Sequence, residues 1–147
     1  MTTITTNRFA KYFSLAIGSF LLLLAFNSCS RKMNFETSSA VPAARGTVKV
    51  KKDNNNNYQV KVKLTNLAEV ERLDKDNISY VVWMVTENDI TKNIGQIRSS
   101  STMLSSKLTA SFQAVSAFKP IRVFITPEEN PEVQYPTQKE ILTTATF

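Results

Sequence analysis

Between residues 47 and 64 the chain twice alternates apolar and polar side chains with a period of two. Thr47-Val48-Lys49-Val50-Lys51 does so first, and Tyr58-Gln59-Val60-Lys61-Val62-Lys63-Leu64 repeats it. Successive side chains of a strand point to opposite faces, so this pattern fits a strand with one dry and one wet face and no helix. Tyr58, Val60, Val62 and Leu64 share the dry face; Gln59, Lys61 and Lys63 share the wet one. Asp53 and four asparagines, 54–57, lie between the two runs. Asparagine tolerates left-handed backbone, so they read as the turn of an antiparallel hairpin. A run of four is too short for an aggregating polar tract.

The rest of the chain continues in short extended segments. Tyr80-Val81-Val82-Trp83-Met84-Val85 is apolar on both faces and rich in β-branched and aromatic residues, as a central strand is. Asn93-Ile94-Gly95-Gln96-Ile97-Arg98 is its hairpin partner, joined through 87–92. Further strands are read at 108–115, at 121–126 between Pro120 and Pro127, and at 139–144. Pro127, Pro131 and Pro136 are expected to keep 127–136 out of any central strand. The charged stretch 67–77 is a connection with room for one helical turn. Seven short strands at this spacing predict an all-β fold, a single antiparallel sandwich over 46–147, with Trp83 as its core anchor.

The N-terminus is of another kind. Arg8 and Lys11 precede thirteen uncharged residues, 14–26, and Asn27-Ser28-Cys29 follow. A short basic region and an apolar run of this length form a secretory signal, since a spanning helix wants about 20 apolar residues. The stretch Ala25-Phe26-Asn27-Ser28-Cys29 resembles a bacterial lipobox, although Phe26 and Asn27 depart from its aliphatic and small positions. The resemblance implies cleavage between Ser28 and Cys29 and acyl chains on the Cys29 thiol and amine. Two or more chains anchor stably where one binds reversibly. The competing readings are an ordinary signal with an incidental cysteine, and an uncleaved helix.

Composition agrees with such a destination. The chain has one cysteine and no histidine, so no internal disulfide can form, and an unpaired thiol in an oxidising envelope would be a liability. Acylation resolves that. Cleavage would remove residues 1–28, and with them Arg8 and Lys11, lowering the net charge from +6 to +4. That is short of the dense basic surface of a nucleic-acid binder. Residues 29–45, Ser/Thr/Ala-rich with Pro42, read as the lipidated cysteine and a flexible tether. Arg31 and Lys32 there could meet anionic headgroups, each contributing on the order of 1 kcal/mol.

The later motifs carry a second resemblance. Tyr80-Val81-Val82-Trp83-Met84-Val85-Thr86, Asn93-Ile94-Gly95, Phe124-Ile125-Thr126-Pro127-Glu128 and Pro136-Thr137 before Ile141-Leu142-Thr143 follow one another in order. Over about 58–144 this resembles the extracytoplasmic C-terminal β-sandwich of anti-sigma-K-type factors. It implies a sensing or docking sandwich and brings no catalytic residues. The segment ahead of it is a signal and tether with no room for a cytoplasmic sigma-binding domain, so sigma-factor inhibition is not carried over.

Catalytic chemistry finds little support. Without histidine, a serine or cysteine nucleophile lacks its usual base, and the commonest zinc, copper and haem ligand is missing. Acids gather at Glu69, Glu71, Asp74, Asp76 and at Glu128, Glu129, Glu132. Asp74-Lys75-Asp76-Asn77 lacks the glycine of a calcium loop, and paired carboxylates need a groove for a glycan. Tyr58, Trp83 and Tyr135 are the only plausible sugar-stacking platforms. Asn77-Ile78-Ser79 matches a glycosylation acceptor by coincidence. No metal, cofactor or catalytic residue is expected. The expectation is a non-enzymatic interaction module, anchored through Cys29 to the bilayer at the periplasmic face of the outer membrane. Its partner would be an envelope protein or polymer, not nucleic acid. The alternative is a binder of small ligands or glycans at the loop ends of the sandwich.

Overall fold

The computed structural model describes residues 30–97 and 109–147, together with Tyr12, Phe13, Leu15 and Ile17, which are helical and exposed. Ser28, Cys29 and most of the apolar run lie outside the described residues, as does the stretch 98–108. Eight strands are formed: β1 (Ser30–Asn34), β2 (Arg45–Lys52), β3 (Tyr58–Thr65), β4 (Ser79–Thr86), β5 (Thr91–Ile97), β6 (Thr109–Ser116), β7 (Pro120–Glu128) and β8 (Leu142–Thr143). A single 3-10 turn, Val70–Arg72, sits between β3 and β4. The strands make two antiparallel four-stranded sheets, β1-β2-β3-β6 and β5-β4-β7-β8. The fold is thus an all-β sandwich.

In the first sheet the alternation is realised residue by residue. Lys49 pairs with Lys61, Val48 with Val62 and Val50 with Val60. Val48, Val50, Val60, Val62 and Leu64 are buried between the sheets, each side chain contributing about 1.5–3 kcal/mol. The turn is held by Asp53, whose Oδ1 accepts from the amides of Asn55 at 2.8 Å and Asn57 at 2.9 Å. Asn56 takes the left-handed conformation there, at φ 64°.

The central strand of the second sheet, β4, is buried along its whole length. Tyr80, Val82 and Met84 face the first sheet and join Val123, Ile125 and Leu142 in the main core. Val81, Trp83 and Val85 point the other way and form a second cluster with Phe124. Trp83 is therefore buried but does not anchor the core between the sheets. It lies on the back of the second sheet, beneath the segment that follows β7, where Val133 packs on its cluster.

That segment also revises the reading of the prolines. β7 is a central strand and runs through Pro127. Ile141 donates to the Ile125 carbonyl at 2.8 Å and Thr144 to that of Val123 at 3.0 Å, so alternate residues of β7 bond on the β8 side. Pro127 falls in that series past the last β8 partners, Phe124 and Ile125. Its missing N–H would point where no strand waits.

The tether is revised as well. Ser30–Asn34 pairs antiparallel with β2 as an edge strand, Ser30 opposite Lys51 and Asn34 opposite Thr47. Beyond it Phe35, Val41 and Ala44 are buried in the main core. Phe35 bridges Thr144, and the Glu36 amide donates to the Thr143 carbonyl at 2.8 Å. Residues 30–45 thus belong to the sandwich, whose described residues form eight strands, in keeping with the about seven expected. Backbone pairing and the scattered apolar side chains of Met33, Phe35, Val41 and Ala44 hold this segment, neither of which requires an alternating sequence.

Candidate functional site

The outer face of the first sheet is its most distinctive surface. Register places its side chains in rows across the four strands. The row at the end where β1 begins holds Ser30, Lys51, Gln59 and Val115. The next holds Lys32, Lys49, Lys61 and Gln113, and the third Asn34, Thr47, Lys63 and Ser111. Arg45, Thr65 and Thr109 lie beyond. Five lysines and one arginine share this face with no carboxylate on any of the four strands' outward positions.

These positions are wet because the inward positions are not. β3 and β2 alternate buried and exposed residues, and all five lysines are exposed. Neighbouring strands lie about 4.8 Å apart, so the amines of Lys32, Lys49 and Lys61 crowd into a row about 10 Å wide. Like charges directly opposite one another are destabilising. The three ion pairs among the described residues, Arg72–Glu69, Lys119–Glu87 and Arg122–Glu140, engage none of these lysines. Arg45 is tied to its own loop, donating to the carbonyls of Pro42 and Ala44, each at 2.7 Å.

Two shallow depressions of about 400 Å³ open along this face. One is lined by Lys61, Lys63, Ser111 and Gln113, the other by Asn34, Arg45, Thr47 and Lys63. Both are open troughs between strands, shaped by backbone pleat and cationic side chains. They suit groups that meet the protein from outside better than a molecule to be enclosed.

The back of the second sheet is built differently. Trp83 Nε1 donates to Thr126 Oγ1 at 2.7 Å, and Thr126 Oγ1 donates in turn to Glu128 Oε1 at 2.7 Å. The Glu128 carboxylate, fully buried, also accepts from the Thr137 amide at 3.1 Å and from the Thr137 hydroxyl. Asn93 Nδ2 holds the same covering segment through the carbonyls of Pro131 at 2.9 Å and Val133 at 2.8 Å. Burying a carboxylate is tolerable only when its lone pairs are satisfied. Here they are satisfied by the segment it pins down, so the arrangement is a latch.

This geometry sorts the remaining candidates. Trp83, stacked on Phe124 with ring centroids 6.1 Å apart, has no face open to a sugar. Tyr58 is half-buried beneath Lys52, and Tyr135 is exposed. Glu128 is buried whereas Glu129 and Glu132 are exposed, so that acidic group is not brought together. Glu69 is engaged by Arg72, and Asp74 Oδ1 accepts from the Asp76 amide in a local turn at 3.3 Å. Among the described residues no three His, Cys, Asp or Glu side chains are grouped as metal ligands. Sequence reasoning recognised Lys61 and Lys63 as a wet face but missed Lys32 as its continuation. It missed the Glu128 latch altogether, although Thr126, Glu128 and Thr137 all stand in the motifs singled out.

No family model, curated protein or solved structure matches the chain.

Proposed function

We propose that this chain is exported, acylated on Cys29 and held in the bacterial envelope as a non-enzymatic docking module that works through the outer face of its first sheet. The observation that carries this reading is the acid-free lysine face. Lys32, Lys49 and Lys61 stand side by side without a counter-charge, an arrangement that is unfavourable in isolation and relieved by an anionic partner. The signal-like N-terminus supports the location, with residues 1–28 removed and the periplasmic face of the outer membrane as the destination. The likeness of the later strands to the extracytoplasmic sandwich of anti-sigma-K-type factors supports docking over catalysis.

Intact mass of the protein purified from its native membranes, beside a Cys29→Ser variant, tests the anchor. A mass beginning at Cys29 with added acyl chains, absent from the variant, is the expected result. An unacylated mass, or one that keeps residues 1–28, overturns it. The docking face is read separately by a photoreactive group placed at Lys61 or at Lys139. Adducts from Lys61 alone are expected, and adducts from Lys139 alone refute the assignment.

A further inference from the structure

The tether that sequence suggested would have left the sandwich free to turn in any direction. The structure removes that freedom, because β1 begins at Ser30, directly after Cys29. The rows of the first sheet then have a fixed relation to the anchor. The row that starts at Ser30 carries Lys51, and the second carries Lys32, Lys49 and Lys61. Of the two broad faces of the sandwich, the lysine face belongs to the sheet that contains Ser30, the residue next to the proposed anchor. The same first row ends in Val115, an apolar side chain that is 61 % exposed on an otherwise polar face.

We infer that the partner of the lysine face is the anionic headgroup surface of the membrane that holds the anchor, so that the sandwich lies on its first sheet. This rests on the docking reading above and names its partner. The chemistry is complementary: exposed ammonium groups on flexible stems meet phosphate oxygens as point charges and need no fixed geometry. The two depressions along the face, both bordered by Lys63, give phosphates places to settle between strands. Val115 is compatible with a bilayer, which offers apolar depth beneath its charges. Val115 stands on β6, at the far edge of the row that starts at Ser30, so it would reach the bilayer only with the sandwich lying flat on this face.

The test uses the full chain purified from native membranes and added to preformed vesicles. One set is phosphatidylcholine alone, the other phosphatidylcholine with phosphatidylglycerol. Flotation with the neutral vesicles reports the anchor and nothing else. Labelling by a membrane-impermeant amine reagent, resolved by peptide mass, reports the face whether or not the protein floats. Lys49, Lys51, Lys61 and Lys63 should react about fivefold more slowly on the anionic vesicles, with Lys75 and Lys139 unchanged. About 0.5 M salt should restore the rates, because screening then acts over a few ångströms. A Lys49→Gln/Lys61→Gln variant should lose the protection while floating on neutral vesicles as before. Equal labelling on the two vesicle types overturns the inference. So does protection that requires a soluble polyanion such as polyphosphate and is absent on phosphatidylglycerol, which would make the partner a polymer.

Discussion

Lys49 on β2 and Lys61 on β3 are direct cross-strand partners, and Lys32 on β1 extends the pair into a row of three. No described ion pair offsets them. Replacing Lys61 with glutamate turns its like-charge contact with Lys49 into an attractive one and leaves the Lys32–Lys49 contact in place. The Lys61→Glu variant should therefore be more stable than the parent by about 0.5 kcal/mol at low salt, and by less at high salt. Urea denaturation at two ionic strengths measures this. A variant that is less stable at low salt would mean that the row is not under electrostatic tension.

The latch makes a sharper demand. Thr126 Oγ1 both accepts from Trp83 Nε1 and donates to Glu128. Thr126→Val keeps the shape, strands the buried Trp83 donor and takes one of the hydrogen bonds from the buried Glu128 carboxylate. Each unsatisfied group costs about 1–3 kcal/mol, so the loss should be about 3 kcal/mol in chemical denaturation. The Thr137 amide should also exchange faster with deuterium, because the covering segment is held through the same carboxylate. Unchanged exchange there would show that Asn93 alone holds the segment.

Gly95 sits at a bulge where β5 slips against β4 between Val82 and Trp83. Its φ of 135° is foreign to other residues, and an added Cβ would lie 2.7 Å from the Phe112 ring across the sandwich. Gly95→Ala should destabilise by about 2–3 kcal/mol through both effects. Adding Phe112→Leu should recover only the steric share. Complete recovery in the double variant, read from melting curves, would show that the backbone is unstrained.

Tyr80 supplies a pH dependence. Burial pushes its hydroxyl from an ordinary value of 10 up to about 12, and that hydroxyl donates to the Ala68 carbonyl at 2.9 Å. The unfolded chain ionises first, so the stability tied to the neutral phenol is fully present below pH 10. It is lost as pH rises through about 12. Stability of the parent should fall over that window more steeply than that of Tyr80→Phe. Parallel profiles would remove Tyr80 as the cause.

Which parts of this were legible in the sequence depended on what each residue's neighbours revealed. Lys49, Lys61 and Lys63 alternate with valines, and alternation fixes both the strand and its wet face. β4 was legible as doubly buried, yet its two faces are equally apolar, so sequence could not say which of Met84 and Trp83 looks toward the first sheet. That was decided by the segment after β7, which covers Trp83 and leaves Tyr80, Val82 and Met84 for the main core. β1 carries Ser-Arg-Lys-Met-Asn and packs only Met33 on the core, so its sequence resembles a linker. Glu128 looked solvated because its partners, Thr126 aside, come from Thr137 and Gln138 beyond a proline-rich stretch. The tryptophan was noticed for its size, but its hydroxyl partner needed the register of β4 on β7.

The bridge from Phe35 to Thr144 has one more consequence. β3 must wait for β6 and β4 for β7, while the start of the described fold closes on its last residues, where the Phe147 amide reaches the Ile121 carbonyl at 2.8 Å. Contacts this distant along the chain make folding slow, since loop closure comes before any reward. A chain emerging from the ribosome therefore cannot finish the first sheet before β6 is made, nor the second before β8 is made. Under the export proposed above, that delay would keep the chain unfolded long enough to be threaded through a membrane.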